Sequence, residues 1–204
     1  MTIHDGEIIR RSLDQRAAFA ELYDRHERVV YRYAARRLGP AHADDIASET
    51  FLVAFDRRID FDGGADARPW LLGIATRLMQ QHARREARAW RGMLAADLAR
   101  VDADQFDAVD ARLDAGRIAR RLGRALGRMP VGDRDAILLH AFGNLDYAGI
   151  ASALGIPIGT VRSRLHRVRR ALRAAIDPAS GQLSAPTEKE EHRERDLAPA
   201  PRAR

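Results

Sequence analysis

The feature that most constrains this chain is the span DYAGIASALGIPIGTVRSRLHRVRRALR, residues 146–173. Tyr147, Ile150, Ala151 and Leu154 recur at three and four residues, so they share one face of a short helix. Gly155-Ile156-Pro157 then breaks that helix and turns the chain. Val161, Leu165, Val168 and Leu172 mark the buried stripe of a second helix. Ala151 is small where two helices would cross, and Gly155 suits the left-handed backbone of a tight turn. This is the apolar skeleton of a helix-turn-helix. The outer arc of its second helix carries Thr160, Arg162, Ser163, Arg164, Arg167, Arg169, Arg170 and Arg173, with no acidic residue among them. Hydroxyls and guanidiniums bond phosphates, and Arg bonds guanine edges, so such a helix suits a major groove. An arginine-rich solvated face is the plainer alternative for the arginines alone. Turn chemistry, small residue and acid-free arc together favour duplex DNA.

The rest of the composition fits that partner. A formal net charge of +6 on 204 residues suits a polyanion. No apolar run is long enough to span a bilayer, and MTIHDGEIIRR lacks the apolar core of a signal peptide, so a cytoplasmic protein without membrane insertion is expected. The chain has no cysteine, which excludes disulfides, thiolate zinc sites and cysteine nucleophiles. Lys189 is the single lysine among 35 basic residues.

Strand signals are nearly absent, and helical periodicity predicts an all-α fold. Short and long helices are expected over 6–12 and 16–38, the latter with Phe19, Leu22, Tyr23, Val30 and Tyr33 on one face and Gly39-Pro40 as its stop. A third covers 43–57 and buries Ile46, Ala47, Phe51, Ala54 and Phe55. After a polar loop over 60–67, a fourth begins near Pro69 with Trp70, Leu71, Ile74, Ala75, Leu78 and His82 inward. The stretch 93–114 sets six aspartates against Arg100 and Arg112 and reads as a flexible acidic linker. Periodicity resumes at Ile118, Leu122, Leu126 and Met129, stops at Pro130, and restarts near Asp133 with Ile137, Leu138 and Ala141. The tail 177–204 is too poor in apolar residues to fold. Two small helical domains follow, 5–92 and 115–176, joined by the linker 93–114 and followed by a disordered tail.

Two further faces invite partners. On helix 43–57, Asp44, Asp45, Ser48, Glu49 and Leu52 lie opposite the buried stripe. Acidic residues in a first turn also complement the helix dipole, so capping and solvation is one reading and a basic protein partner, centred on Leu52, is the other. On the fourth helix Arg68, Thr76, Arg77, Gln80, Gln81, Arg84, Arg85 and Arg88 lie off the core face. Arginines and amides beside Trp70 and Trp90 suit a single strand, where bases stack and phosphates track a basic groove. Solvated arginines over a core Trp70 is the alternative.

These blocks, FAELYDRHERVVYRYAARRL (19–38), DDIASETFLVAF (44–55), RPWLLGIATRLMQQHARR (68–85) and LDYAGIASALGIPIGTVRSRLHRVRRALR (145–173), occur in the order and spacing of the bacterial sigma factors of the extracytoplasmic-function group, which the chain resembles over about 5–176. The resemblance implies a factor that binds core RNA polymerase and directs promoter-specific initiation. It gives Asp44, Asp45, Ser48, Glu49 and Leu52 to the clamp of the largest polymerase subunit. The melted promoter element falls to Arg68, Thr76, Arg77, Gln80, Gln81, Arg84, Arg85, Arg88 and the loop before them, and the upstream duplex to Thr160, Arg162, Ser163, Arg164 and Arg167. It also implies a linker threaded toward the RNA exit path, and the family is often held inactive by an anti-sigma protein. Ser48 stands where the family usually has Gln, Arg77 where Asn is common, Gln81 where Asp is common, and Gly149 in place of a frequent acidic residue.

A stand-alone helix-turn-helix regulator is the competing function. A response regulator would show strand–helix alternation with a phosphoacceptor aspartate, and none is visible. An enzyme is not expected, nor a cofactor or metal. The seven histidines are scattered, none at metal-ligand spacing with a carboxylate, and no phosphate-cradling glycine loop precedes a helix.

Overall fold

The computed structural model describes residues 3–62, 64–96 and 113–176, and every regular element among them is helical. Most of the expected linker and the whole tail lie outside the described residues, as do the side chains of Arg85, Arg88 and Trp90.

Eight α-helices follow in order: α1 Asp5–Asp14, α2 Ala20–Leu38, α3 Ala43–Asp56, α4 Arg68–Ala96, α5 Leu113–Arg128, α6 Val131–Ala141, α7 Tyr147–Leu154 and α8 Ile158–Ile176. One 3-10 turn, Arg16–Phe19, leads into α2, and another, Pro40–His42, joins α2 to α3 behind Gly39. The helices divide into two compact units, one of Met1–Asp107 with Met129–Val168, the other of Ala108–Arg128 with Arg169–Arg204. One boundary of this division falls within the acidic stretch, at 107/108, and the others fall at 128/129 and 168/169. The helix-turn-helix up to Val168 shares a unit with the N-terminal helices.

In the larger unit α2, α3 and α4 pack on one another, and α7 packs on α4. Ile8, Leu22, Val30, Tyr33, Ile46, Phe51, Leu71, Leu72, Met79, Leu139, Ile150 and Leu165 belong to one apolar core. On α3 the buried positions are Ala43, Ile46, Ala47, Thr50, Phe51 and Ala54, a three-and-four repeat that leaves the opposite face free. The first half of α4 is flanked on two sides. Its buried set therefore wraps most of the way round, with Leu71, Leu72, Ile74, Ala75, Thr76, Leu78 and Met79 all buried. An ideal Cβ on Gly73 would stand 2.5 Å from the Ala153 carbonyl oxygen and 3.2 Å from its carbonyl carbon and Cα. Only a residue without a side chain lets α4 and α7 cross this closely.

Helix α6 differs from the expected pattern. Its buried residues are Asp133, Asp135, Ala136 and Leu139, while Ile137 and Leu138 are half-buried and Ala141 is exposed. Two buried aspartates on a short helix require partners, because unpaired buried carboxylates cost several kcal/mol, of order. Asp135 finds them on α2 and α4, and Asp133 on α8. Tyr23, expected inward, is 43% exposed.

A second polar knot secures the N-terminus. Asp5 accepts from the Ala67 backbone N–H at 2.8 Å and bonds His26 Nε2 at 2.7 Å, with Arg25 on its other oxygen. It fastens α1 to α2 and to the loop entering α4. Burial pushes the Asp5 carboxyl up, but the Ala67 N–H, His26 and Arg25 outweigh it and hold the group below its ordinary 3.8.

Candidate nucleic-acid interface

The helix-turn-helix is built from local signals. Asp146 caps α7, its carboxylate accepting the Gly149 N–H at 2.7 Å. Gly149 sits at the third helical position, where an acidic side chain would return a bond to the cap. That return bond is absent here. Gly155 ends α7 in the left-handed region at φ 64°, and the Ile156 N–H bonds Ala151 O at 3.0 Å to close the turn. Pro157 then opens α8, its carbonyl accepting the Thr160 N–H at 2.9 Å. Val161, Leu165 and Val168 are buried as the spacing predicts. Ala153 lies against Gly73 of α4, where the two backbones approach closely.

On the outer arc Arg162 and Ser163 are exposed and Thr160 is half-buried. Arg164 and Arg167 are not free. Arg167 donates from Nε and Nη2 to the two carboxylate oxygens of Asp133 at 3.0 and 2.8 Å. Arg164 donates from Nη1 to Gly132 O at 3.2 Å, with its Nε 3.8 Å from Asp133. The hydrogen bond to Asp133 raises the Arg167 pKa further above its ordinary value, burial opposing and the carboxylate charge adding to it. The arc is free of acid in its own sequence, yet α6 supplies one.

On α4 the expected single-strand face separates into parts. Arg77, Gln81 and Arg84 are exposed, and Arg68 is half-buried with its Nε lacking a protein partner. Thr76 is a correction: it is 1% exposed. Its hydroxyl donates to Leu72 O at 2.7 Å and so accepts from Tyr33 Oη at 2.8 Å, which in turn accepts from Arg37 Nη1 at 2.9 Å. The contact with Tyr33 of α2 draws Thr76 into the core. Gln80, half-buried, donates to Asp135 Oδ2 at 2.6 Å, and Arg37 Nη2 donates to Asp135 Oδ1 at 2.7 Å. Burial opposes the charge on Arg37, but Tyr33 and Asp135 together hold its pKa above the ordinary value. Burial also pushes the Tyr33 phenol up, against the pull of Arg37 and Thr76. Trp70 packs on Phe61 with ring centroids 5.1 Å apart, so it is a core-edge residue. Before α4, Asp62 accepts the Gly64 N–H and Asp66 the Arg68 N–H, and Ala65 O takes the Asp5 N–H, which pins this loop to α1.

On α3 the residues Asp44, Asp45, Ser48, Glu49 and Leu52 are all exposed, Leu52 by 67%. Beside them lies an open apolar depression of about 370 Å³ lined by Phe19, Tyr23, Ser48, Phe51, Leu52 and Phe55. Phe19 and Phe55 meet edge to face at 5.2 Å, and Tyr23 and Phe51 lie 4.8 Å apart. The sequence pattern found the acidic rim and Leu52 but missed this floor, because Phe19 and Tyr23 come from a different segment.

Donor atoms of Asp5, His26 and Asp66 fall within 4.8 Å of one another, although the sequence spacing gave no such cluster. The Asp5 carboxylate already serves His26, Arg25 and Ala67, and Asp66 serves Arg68, so these donors are used to hold the fold.

Residues 22–89 match the Sigma-70 region 2 family and residues 119–172 the Sigma-70, region 4 family. The ECF RNA polymerase sigma factor SigL of Mycobacterium tuberculosis is 35% identical over 163 residues, covering 78% of this chain and 89% of SigL. The chain belongs to the ECF sigma factors. SigW of Bacillus subtilis is 31% identical over 169 residues, again covering 78% of this ECF factor and 89% of SigW. With SigE of Mycolicibacterium smegmatis the identity is 36% over 154 residues, but the match spans 59% of SigE's own length and 75% of this chain. Two solved structures share the fold: CnrH in complex with the cytosolic domain of CnrY (TM-score 0.59, 24% identity, 86% of this chain and 98% of that one) and RpoE with the anti-sigma factor NepR from Bartonella quintana (0.55, 19%, 82% and 98%). The family is not known as one of enzymes. No helix among the described residues is long and apolar enough to cross a membrane.

Proposed function

We infer that this ECF sigma factor brings core RNA polymerase to its promoters by contacting three partners through three faces. Promoter-specific initiation rests on one observation, that region 2 and region 4 occur on the same chain. A stand-alone regulator needs only the second.

Polymerase falls to α3. Asp44, Asp45, Ser48 and Glu49 form a charged rim, and Leu52 with the apolar depression beside it forms a centre, the arrangement of a stable protein interface. A partner with basic residues around an apolar contact, as the clamp helices of the largest subunit would have to be, is complementary to this face. An anti-sigma protein seated on the same face would block it. The single strand of the melted element falls to Arg68, Arg77, Gln81 and Arg84 with the loop before them; Arg85 and Arg88 extend the same basic segment in sequence. Gln80 joins them only when it leaves Asp135, and Thr76 acts as a buried support. The upstream duplex falls to Thr160, Arg162, Ser163, Arg164 and Arg167. Residues 5–92 thus serve polymerase and melted DNA, and 115–176 the duplex, with the work done in the cytoplasm alongside the polymerase. Tethering both grips on polymerase makes the second contact intramolecular, which raises its effective concentration.

Run-off transcription with purified core enzyme tests this reading. The folded chain supports initiation from its own promoters; folded protein that never does so refutes it.

A further inference from the structure

Resting on the assignment of α8 to the upstream duplex, we propose that Asp133 is a specificity-determining positioning residue, which buttresses Arg167 so that this arginine reads a guanine rather than a phosphate.

The geometry is a two-point clasp. Asp133 Oδ2 takes Arg167 Nε–H at 3.0 Å and Oδ1 takes Nη2–H at 2.8 Å, so the carboxylate occupies the side-on edge of the guanidinium. A guanidinium carries five N–H donors. Three remain, two on Nη1 and one on Nη2, and they form a second fork pointing away from Asp133. The Asp133 side chain is 8% exposed while that of Arg167 is 54% exposed, so the clasp is anchored in the protein and open to solvent beyond it. A forward fork of this kind matches guanine O6 and N7 in a major groove.

Two physical effects give the clasp its selectivity. A fixed arginine has already lost the rotamer freedom that a free one surrenders on binding, so a well-placed acceptor pair is favoured over a diffuse one. The carboxylate also offsets the guanidinium charge, which weakens attraction to any phosphate regardless of sequence. A base edge with two aligned acceptors keeps its hydrogen bonds; a phosphate loses much of its Coulomb gain. Arg164 is handled differently. Its guanidinium lies flat on Gly132, where a Cβ would stand 2.5 Å from Nη1, and it bonds the Gly132 carbonyl. Asp133 thereby has one principal client, Arg167. None of this follows from α8 itself, since the carboxylate comes from α6.

The test uses the full chain bound to core polymerase and a DNA library randomised across the upstream duplex element. The parent enriches a site holding a guanine whose change to adenine weakens binding about tenfold. Asp133→Ala reduces that discrimination to about twofold or less and raises affinity for unrelated duplex, with a steeper salt dependence, because a free cation now faces phosphate. A merely structural role would lower both affinities together. Arg167→Lys keeps a cation beside Asp133 and loses the fork, so it also abolishes the guanine preference, with folding checked by a thermal melt. Unchanged guanine discrimination in either variant overturns the proposal. A parent that supports initiation yet enriches no upstream sequence instead refutes the assignment of α8 as the reading helix, and the clasp with it.

Discussion

The buried ion pair between α2 and α6 makes the sharpest stability prediction. Asp135 is 1% exposed and the Arg37 side chain 9%, and Nη2 stands 2.7 Å from Oδ1. Gln80 adds a second donor at 2.6 Å. Asp135→Ala leaves the guanidinium with Tyr33 as its hydrogen-bond partner and removes the acceptor that Gln80 uses. Charges about 4 Å apart attract by about 4 kcal/mol at an effective dielectric near 20. Removing one partner of such a pair costs about 3–5 kcal/mol, since the other stays buried and uncompensated. Arg37 cannot escape by losing its proton, because a guanidinium stays protonated in proteins. The expected loss is therefore about 3 kcal/mol, or roughly 6–12 °C in Tm for a chain of this size. Asp135→Asn, which keeps an acceptor, loses about half as much, and the apolar pair Arg37→Met with Asp135→Leu recovers most of the loss. Urea titration by circular dichroism gives the free energies, and hydrogen exchange at the α6 amides shows where the loss falls. A change under about 0.5 kcal/mol, with α6 still protected, would refute the view that this pair holds α6 on the bundle.

Gly73→Ala gains about 1 kcal/mol of helix propensity but drives a Cβ into the Ala153 backbone, an overpacking cost of about 1–3 kcal/mol. Thermal melts should show net destabilisation; a net gain would mean that α4 and α7 do not cross so closely. The Asp5 carboxyl, lowered in the folded state, contributes stability that is complete above its ordinary 3.8 and is lost as pH falls through the folded value. Acid titration of the parent should show that loss, and Asp5→Asn should remove this part of the pH dependence; parallel curves would show that the knot is not linked to acid unfolding. Asp45→Arg with Glu49→Arg, both exposed, should abolish binding to core polymerase while duplex binding stays as in the parent, read by pull-down and gel shift. Asp146→Ala removes the α7 cap and should cost about 1 kcal/mol, checked by urea titration.

The legible part of this molecule was the part decided locally. Gly155-Ile156-Pro157 wrote the turn, and the apolar repeats wrote α3 and the buried stripe of α8. The acidic face on α3 was legible because one side of the helix remained free. Where two surfaces press on one element, the period alone fails. Thr76 and Gln80 read as a polar face, yet Tyr33 and Asp135 come to them from 43 and 55 residues away. On α6 the same effect hid Asp133 and Asp135 among residues that look solvated. A charge pattern read along one helix cannot reveal the opposite charge that another helix brings to it.

That limit bears on the charges of α2, α4 and α8. Aspartates from one short helix engage groups that sequence alone would leave free: Asp135 takes Arg37 of α2 and Gln80 of α4, and Asp133 takes Arg167 of α8. The two aspartates are adjacent but for Arg134, so α6 presents one carboxylate toward each side. The pairs with Arg37 and Arg167 each offset a positive charge, but only Arg167 stands at the surface, where an unpaired cation attracts phosphate. The consequences differ by burial. Asp135 is enclosed, so its bonds are chiefly structural and they occupy the Gln80 amide. The Asp133 clasp leaves one guanidinium edge in solvent, so it restrains without withholding. Replacing each aspartate in turn should separate the two: the Asp135 change is read as stability, the Asp133 change as base preference at nearly constant stability. A large loss of stability from Asp133→Ala, with its base preference intact, would place both aspartates in the same structural role.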